Sequence, residues 1–189
     1  LALLLWSCDG GLSEEVPTEG DLFTLTYNVH GLPSEITGDD TPSRIEQIAP
    51  LLPGFDLIGL QEDFDETLHG VLDSALDHES RLWFDEALPD RVYGSGLSSY
   101  AGLSTAGTYT EHYEDCHGIL DSSSDCLASK GFTVMTLVLG GEVTLDFYNT
   151  HLEAGGGQED EDARATQVEQ LVASLEDRSA GNAVIFVGD

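Results

Sequence analysis

Five polar residues stand where apolar runs end and chemistry could begin: Asn28, Glu62, Asn149, His151 and Asp189. Side chains alternate faces along a strand, so residues two apart share one. By that rule Asn149 and His151 follow Val143, Leu145 and Phe147; Glu62 follows Ile58 and Leu60; Asp189 follows Ile185 and Val187. Asn28 follows Thr24 and Thr26 in the same way. If these strands lie side by side, all five converge at one edge of the core. The types suit phosphate chemistry. A hard cation such as Mg²⁺ takes oxygen ligands, one or two of them carboxylates, and keeps several waters. Glu62 can hold it, and Asn28 can add an amide oxygen or orient a water. His151 can donate to a phosphoryl oxygen or exchange a proton near neutrality. Asp189 can orient or activate an attacking water. Singly, an Asn or His at a strand end is more often a turn or surface residue, and the reading rests on the sites taken together.

The elements that must position them are legible in outline. Leu22 to Val29 alternates as a strand, and Leu57 to Leu60 is a short apolar one. Thr41-Pro42-Ser43 starts a helix with Ile45, Ile48 and Ala49 on one face. Asp65 to Asp77 is expected to be helical through Leu68, Val71, Leu72 and Leu76. Leu82 to Asp115, rich in Gly, Ser, Thr and Tyr, reads as short strands and loops. Phe132–Leu139 and Val143–Thr150 flank Gly140-Gly141, the signal for an antiparallel hairpin. Glu159 to Arg178 is a helix whose expected stripe is Val168, Leu171, Val172 and Leu175, with Gly181 as its stop. Its acidic start, Glu159 to Asp162, lacks the spacing of a calcium loop and reads as a solvated helix terminus. Val184 to Asp189 reads as a buried strand entering a turn, normally followed by more protein.

Charge narrows the partners. Against 36 Asp and Glu stand six Lys and Arg, a formal net charge of −30 over 189 residues. Six cations cannot build the large basic patch that nucleic-acid binders use, so nucleic acid is an unlikely partner. The 40% hydrophobic content supports one packed core, and no apolar run approaches the length of a membrane span. The opening Leu1-Ala2-Leu3-Leu4-Leu5-Trp6-Ser7-Cys8 resembles the end of a signal peptide with a bacterial lipobox. Cys8 is then the lipidated residue and residues up to 21 form a linker, the rival reading being a short apolar stub. Export to the cell envelope or beyond follows, with a lipid anchor at the membrane surface. Cys116 and Cys126 form an even pair closing a short loop, expected as a disulfide in an oxidising compartment. A zinc site with His112 and His117 is the alternative, though Cys-x9-Cys fits no common zinc spacing.

Thr26-Tyr27-Asn28-Val29, Leu60-Gln61-Glu62, Tyr148-Asn149-Thr150-His151-Leu152 and Val187-Gly188-Asp189, in that order, resemble the endonuclease/exonuclease/phosphatase superfamily. Arg164 and Gln167 also look like the family. The resemblance runs from residue 22 to 189 and implies an α+β fold. Its form is a four-layer α/β/β/α sandwich of two mostly antiparallel sheets flanked by helices. It implies Asn28 and Glu62 at the metal, His151 and Asn149 at the phosphate, and Asp189 in the catalytic centre. The family pattern continues with an Asn one residue after Gly-Asp and a later Asp-His pair, so residues 22–189 are expected to be the N-terminal portion of such a domain. Asp125 to Phe132 looks like a segment of secreted neutral sphingomyelinase-type phosphodiesterases. Within it Lys130, the only lysine, is a candidate phosphate contact, with a surface lysine as the plain alternative.

These readings lead to a monomeric, exported phosphodiester hydrolase of sphingomyelinase or phospholipase C type. It would use Mg²⁺, with Mn²⁺ or Ca²⁺ as alternatives, and act on a phospholipid or another phosphodiester. Two other functions stay open: an extracellular deoxyribonuclease-like endonuclease on the same fold, and a non-catalytic envelope binding protein.

Overall fold

The computed structural model describes residues 20–118, 125–140 and 142–189. The lipobox reading at Cys8 and Gly141 of the hairpin turn lie outside them. Strand β1 (Thr24–Asn28) is followed by the short α1 (Ser34–Thr37) and by α2 (Thr41–Ile48). Then come β2 (Leu57–Gln61), α3 (Glu66–Ser74), β3 (Ser80–Phe84), β4 (Leu97–Ala101) and β5 (Thr105–His112). The chain continues through β6 (Gly131–Gly140), β7 (Val143–Thr150), α4 (Gln158–Arg178) and β8 (Ala183–Gly188). Local chemistry sets the helix starts. Asp40 accepts the Ser43 N–H at 3.2 Å ahead of α2, and Asp65 accepts that of Leu68 at 2.9 Å ahead of α3.

The strands form two four-stranded sheets, β1-β2-β4-β3 and β5-β6-β7-β8. In each, one pairing is parallel (β1 with β2, β7 with β8) and the other two are antiparallel. Helices α2 and α3 cover the outer face of the first sheet through Ile45, Ile48 and Leu72 packed on Ile58, Leu60 and Tyr100. Helix α4 covers the second through Leu171 against Phe132, Val134 and Tyr148. Between the sheets, Leu57, Ala101, Met135, Leu137, Leu145 and Phe147 form an apolar core. The expected four-layer α+β sandwich is the one found.

Three expectations about faces need correction. The site-bearing strands do not all lie side by side: β1 and β2 belong to one sheet, β7 and β8 to the other, and their residues meet across the interior. The α4 stripe is displaced, with Ala163, Gln167, Leu171 and Ser174 buried while Val168 and Val172 are exposed. The Gln167 amide fixes the helix rotation. It accepts from the Glu153 N–H at 2.8 Å and donates to the Asp115 carbonyl at 2.9 Å. Finally, β8 is an edge strand and not fully buried: Ile185 and Val187 face the core, while Val184 and Phe186 are exposed.

Candidate active site

The space between the sheets turns polar toward the C-terminal ends of β1, β2 and β7. Ser99 and Thr133 hydroxyls bond across it at 2.8 Å, and Gln61 bridges Thr26 and Asn149. Where this polar end opens, Asn28 donates its amide nitrogen to Glu62 Oε1 and to Asp189 Oδ2, each at 2.7 Å. The Asn28 amide oxygen accepts the His30 main-chain N–H at 2.8 Å, which fixes the direction the amide faces. His151 Nε2 lies 4.0 Å from Asp189 Oδ2, and the Leu152 N–H donates to the Asp189 carbonyl at 2.9 Å. The cluster opens to solvent at Asp189, whose side chain is 54% exposed against 8% for His151.

Glu62 reaches this edge by a different route from the one its sequence position suggests. Ile58 and Leu60 face the helices, so simple alternation would send Glu62 there too. Instead its φ is +61°, in the left-handed region that non-glycine residues seldom occupy. The turn carries its carboxylate back to Asn28. Its carbonyl accepts the Gly31 N–H at 2.9 Å, and a Cβ on Gly31 would stand 2.2 Å from that oxygen, so only glycine fits there.

His30 was not singled out from the sequence. Its φ is +53°, and its ring lies 3.4 Å from Glu62 Oε2 and 3.9 Å from Asp39 Oδ2. Arg44 secures this turn by donating to the Val29 carbonyl at 3.3 Å and to the His30 carbonyl, while pairing with Asp39. The Thr37 hydroxyl, with help from Arg44, holds the Asp39 carboxyl below its ordinary range against partial desolvation. The available signal was His-Gly directly after Asn-Val, since His tolerates the left-handed region better than most residues.

Two expected placements change. Asn149 is fully buried, with both amide hydrogens donated to the Leu60 and Ser98 carbonyls at 3.0 and 3.1 Å. Its oxygen accepts from Gln61 at 2.7 Å. An amide with both hydrogens committed has none left for a phosphate; Asn149 ties the sheets beneath the site instead. Lys130 is 5% exposed and donates to the Leu152 carbonyl at 2.6 Å, so it lies under the segment after His151 and not at the mouth. Arg164 supports the same segment, donating to the carbonyls of Glu153, Ala154 and Gly155 at 2.9–3.1 Å. Cys116 and Cys126 are joined as a disulfide, which removes the zinc alternative.

Among the described residues, no three His, Cys, Asp or Glu side chains gather closely enough to hold a metal by themselves. The donor set at Asn28 nonetheless fits a hard cation. Two carboxylates converge on one amide at a solvent-facing edge, and like charges so placed favour a cation between or beside them.

Two facing sheets between helices, with carboxylates and a histidine where the interior opens, make the fold a deoxyribonuclease-like sandwich. Within that class the likeness is to sphingomyelinases. The chain is 29% identical over 173 residues to a sphingomyelinase of Mycobacterium tuberculosis, an alignment covering 90% of this chain and 34% of the relative. It therefore spans about a third of the length of the curated relatives it matches. Sphingomyelinase C from Streptomyces griseocarneus superimposes with a TM-score of 0.76 at 18% identity, over 90% of this chain and 64% of that one. A variant of Staphylococcus aureus beta toxin with bound magnesium ions gives 0.78 at 14% identity, over 90% and 64%. No family model matches the chain. The resemblance carried by the four sequence motifs is borne out.

Proposed function

We propose that the protein is a Mg²⁺-dependent phosphodiesterase that hydrolyses a sphingomyelin-type phospholipid and releases the phosphorylated headgroup. The observation that carries this reading is the Asn28 amide held between Glu62 and Asp189, with His151 beside Asp189. The relatives named sphingomyelinase supply the substrate class. Glu62, its carboxylate held in place by the Asn28 amide N–H, would hold Mg²⁺, which when bound would offset phosphate charge and stabilise the oxygens around phosphorus. Mn²⁺ and Ca²⁺ are the alternative ions.

Residues of this chain take the following parts. Asn28 keeps the two carboxylates in register. Asp189, the most exposed of the group, accepts a hydrogen from a water and aims its lone pair at phosphorus. The water oxygen bonds to phosphorus as its proton passes to Asp189, and His151 donates to a phosphoryl oxygen as charge builds there. The bond from phosphorus to the lipid alcohol oxygen breaks, that oxygen taking a proton from solvent. The net charge of −30 favours a zwitterionic headgroup over a polyanion. Export, with anchoring through Cys8, accords with the Cys116–Cys126 disulfide, since such bonds persist in oxidising compartments.

The test uses the full gene product on sphingomyelin vesicles and on DNA, each with Mg²⁺ and with EDTA. Release of the phosphorylated headgroup that needs Mg²⁺ and falls at least 100-fold in His151→Ala is the expected result. Cleavage of DNA alone overturns the lipid reading in favour of a nuclease. Binding of vesicles without turnover overturns it in favour of a non-catalytic protein.

A further inference from the structure

Asp63 follows Glu62, is 1% exposed, and has no part in the chemistry proposed above. A carboxylate so far from water is costly unless its acceptors are used. Here Oδ2 accepts from His69 Nδ1 at 2.6 Å and from the Ser98 hydroxyl. A carboxylate only accepts, so His69 carries its proton on Nδ1. The Asp63 main chain is held as well: its N–H donates to the Gly96 carbonyl at 2.9 Å, and its carbonyl accepts Trp83 Nε1 at 3.0 Å. His69 stacks on Trp83, with ring centroids 4.0 Å apart and planes 6° from parallel. Gly96 has a φ of +64° and no room for a Cβ, which would stand 2.4 Å from the Phe64 ring. Helix α3, strands β3 and β4 and the turn before β4 thus all grip the residue next to Glu62.

That grip has an evident object. Glu62 sits in the left-handed region, where an L-residue with a Cβ is disfavoured and persists only if its surroundings over-determine it. On one side the Gly31 N–H holds the Glu62 carbonyl. On the other, the first fixed point is Asp63. Released from that anchor, Glu62 would relax toward extended backbone, and strand alternation would swing its carboxylate toward the helix face, away from Asn28 and Asp189. We propose that Asp63, locked by His69, Ser98 and Trp83, is the positioning residue that aims Glu62 at the metal seat. The proposal takes the identity of that seat from the functional reading above and adds the device that keeps it in shape.

The test separates the two. Gly31 amide exchange, followed by NMR in the full gene product, reports the Glu62 turn directly, and Mn²⁺ titration reports the seat. Trp83→Phe keeps the ring stacked on His69 but removes the donor to Asp63. Asp63→Asn keeps the shape and removes the charge. Leu72→Ala, on the buried face of α3, controls for lost stability. Relative to amides of β6, Gly31 exchange is expected to rise at least 10-fold in Trp83→Phe and Asp63→Asn and to stay level in Leu72→Ala. The Mn²⁺ dissociation constant should rise at least 10-fold in the same two variants. Gly31 exchange that keeps pace with β6 in both overturns the proposal, and Trp83→Phe alone decides if Asp63→Asn does not fold. A wild-type protein that binds no Mn²⁺ refutes the metal reading of Glu62, while Gly31 exchange still decides the role of Asp63.

Discussion

Replacing Asn149 with Ala tests whether this residue binds the sheets together or touches substrate. Asn149 lies at zero exposure and makes three hydrogen bonds: from Gln61 at 2.7 Å, and to the Leu60 and Ser98 carbonyls at 3.0 and 3.1 Å. At about 1 kcal/mol net per bond, with something more for polar groups left dry, the loss is about 3–4 kcal/mol. For a domain of this size each kcal/mol moves the melting temperature by about 2–4 °C, so the drop should be roughly 6–16 °C. Asn149→Asp should be worse than Ala. It keeps the acceptor for Gln61 but turns an anionic oxygen toward two carbonyl oxygens, burying a charge without a partner. Urea unfolding followed by circular dichroism measures both. A side chain that served only the substrate would give a stable Ala variant with lost activity. An Ala variant within 1 kcal/mol of wild type, or an Asp variant more stable than Ala, therefore refutes the reasoning.

Gly59→Ala should cost about 1–3 kcal/mol by overpacking, because its Cβ would stand 2.5 Å from Val187 Cγ2 and 2.9 Å from Asn149 Cγ; thermal melting checks this. The Gly157 N–H and then His117 hold the Asp160 carboxyl below its ordinary range. A depressed folded-state value means Asp160 adds stability above the unfolded carboxylate range and loses it as pH falls through the folded value. The urea midpoint of wild type should therefore exceed that of Asp160→Asn at pH 6, and the gap should begin to narrow only below about pH 4 and close below the depressed folded-state value. Reducing Cys116–Cys126, 10 residues apart, should lower stability by about 2–3 kcal/mol, read as a lower urea midpoint in the presence of a phosphine reductant.

Much of the architecture was open to reading because periodicity and punctuation agree with the fold. The apolar runs of β2, β6 and β7, the Pro42 helix start and the Asp65 cap each point to the element that forms. Residues placed by simple alternation were also legible: Asn28, His151 and Asp189 follow the interior face of their strands to the same edge. What escaped were features set by tertiary polar contacts. Glu62 leaves its expected face through a positive φ that Gly31 and Asp63 stabilise from outside its own strand. Helix α4 is rotated because Gln167, a polar residue, takes the central buried position that apolar periodicity would assign to a neighbour. Lys130 looks like a phosphate ligand from its scarcity, yet its ammonium has a carbonyl to satisfy in the interior. Such contacts span dozens of residues in sequence, and no local pattern encodes them.

The few cations of the chain explain the character of its site. Arg81 donates to the carbonyls of Asp73, Leu76 and His78, at and just beyond the end of α3. Arg44 holds those of Val29 and His30, Arg164 those of residues 153–155, and Lys130 that of Leu152. Arg178 lies 3.2 Å over the Tyr109 ring, and Arg91 pairs with Asp90 and reaches Cys116. All six are thus committed to the framework, four of them to main-chain oxygens. Both turns that shape the site, at residues 28–31 and 152–155, are closed by such a cation. Among the described residues, Glu62 and Asp189 have only histidines, His30 and His151, as ion-pair neighbours, and no Lys or Arg. With a net charge of −30 over these 189 residues, that arrangement supports the proposal that a bound ion supplies counter-charge at Glu62. The scarcity of cations that disfavours a polyanionic partner thus also supports the proposed role of a divalent metal.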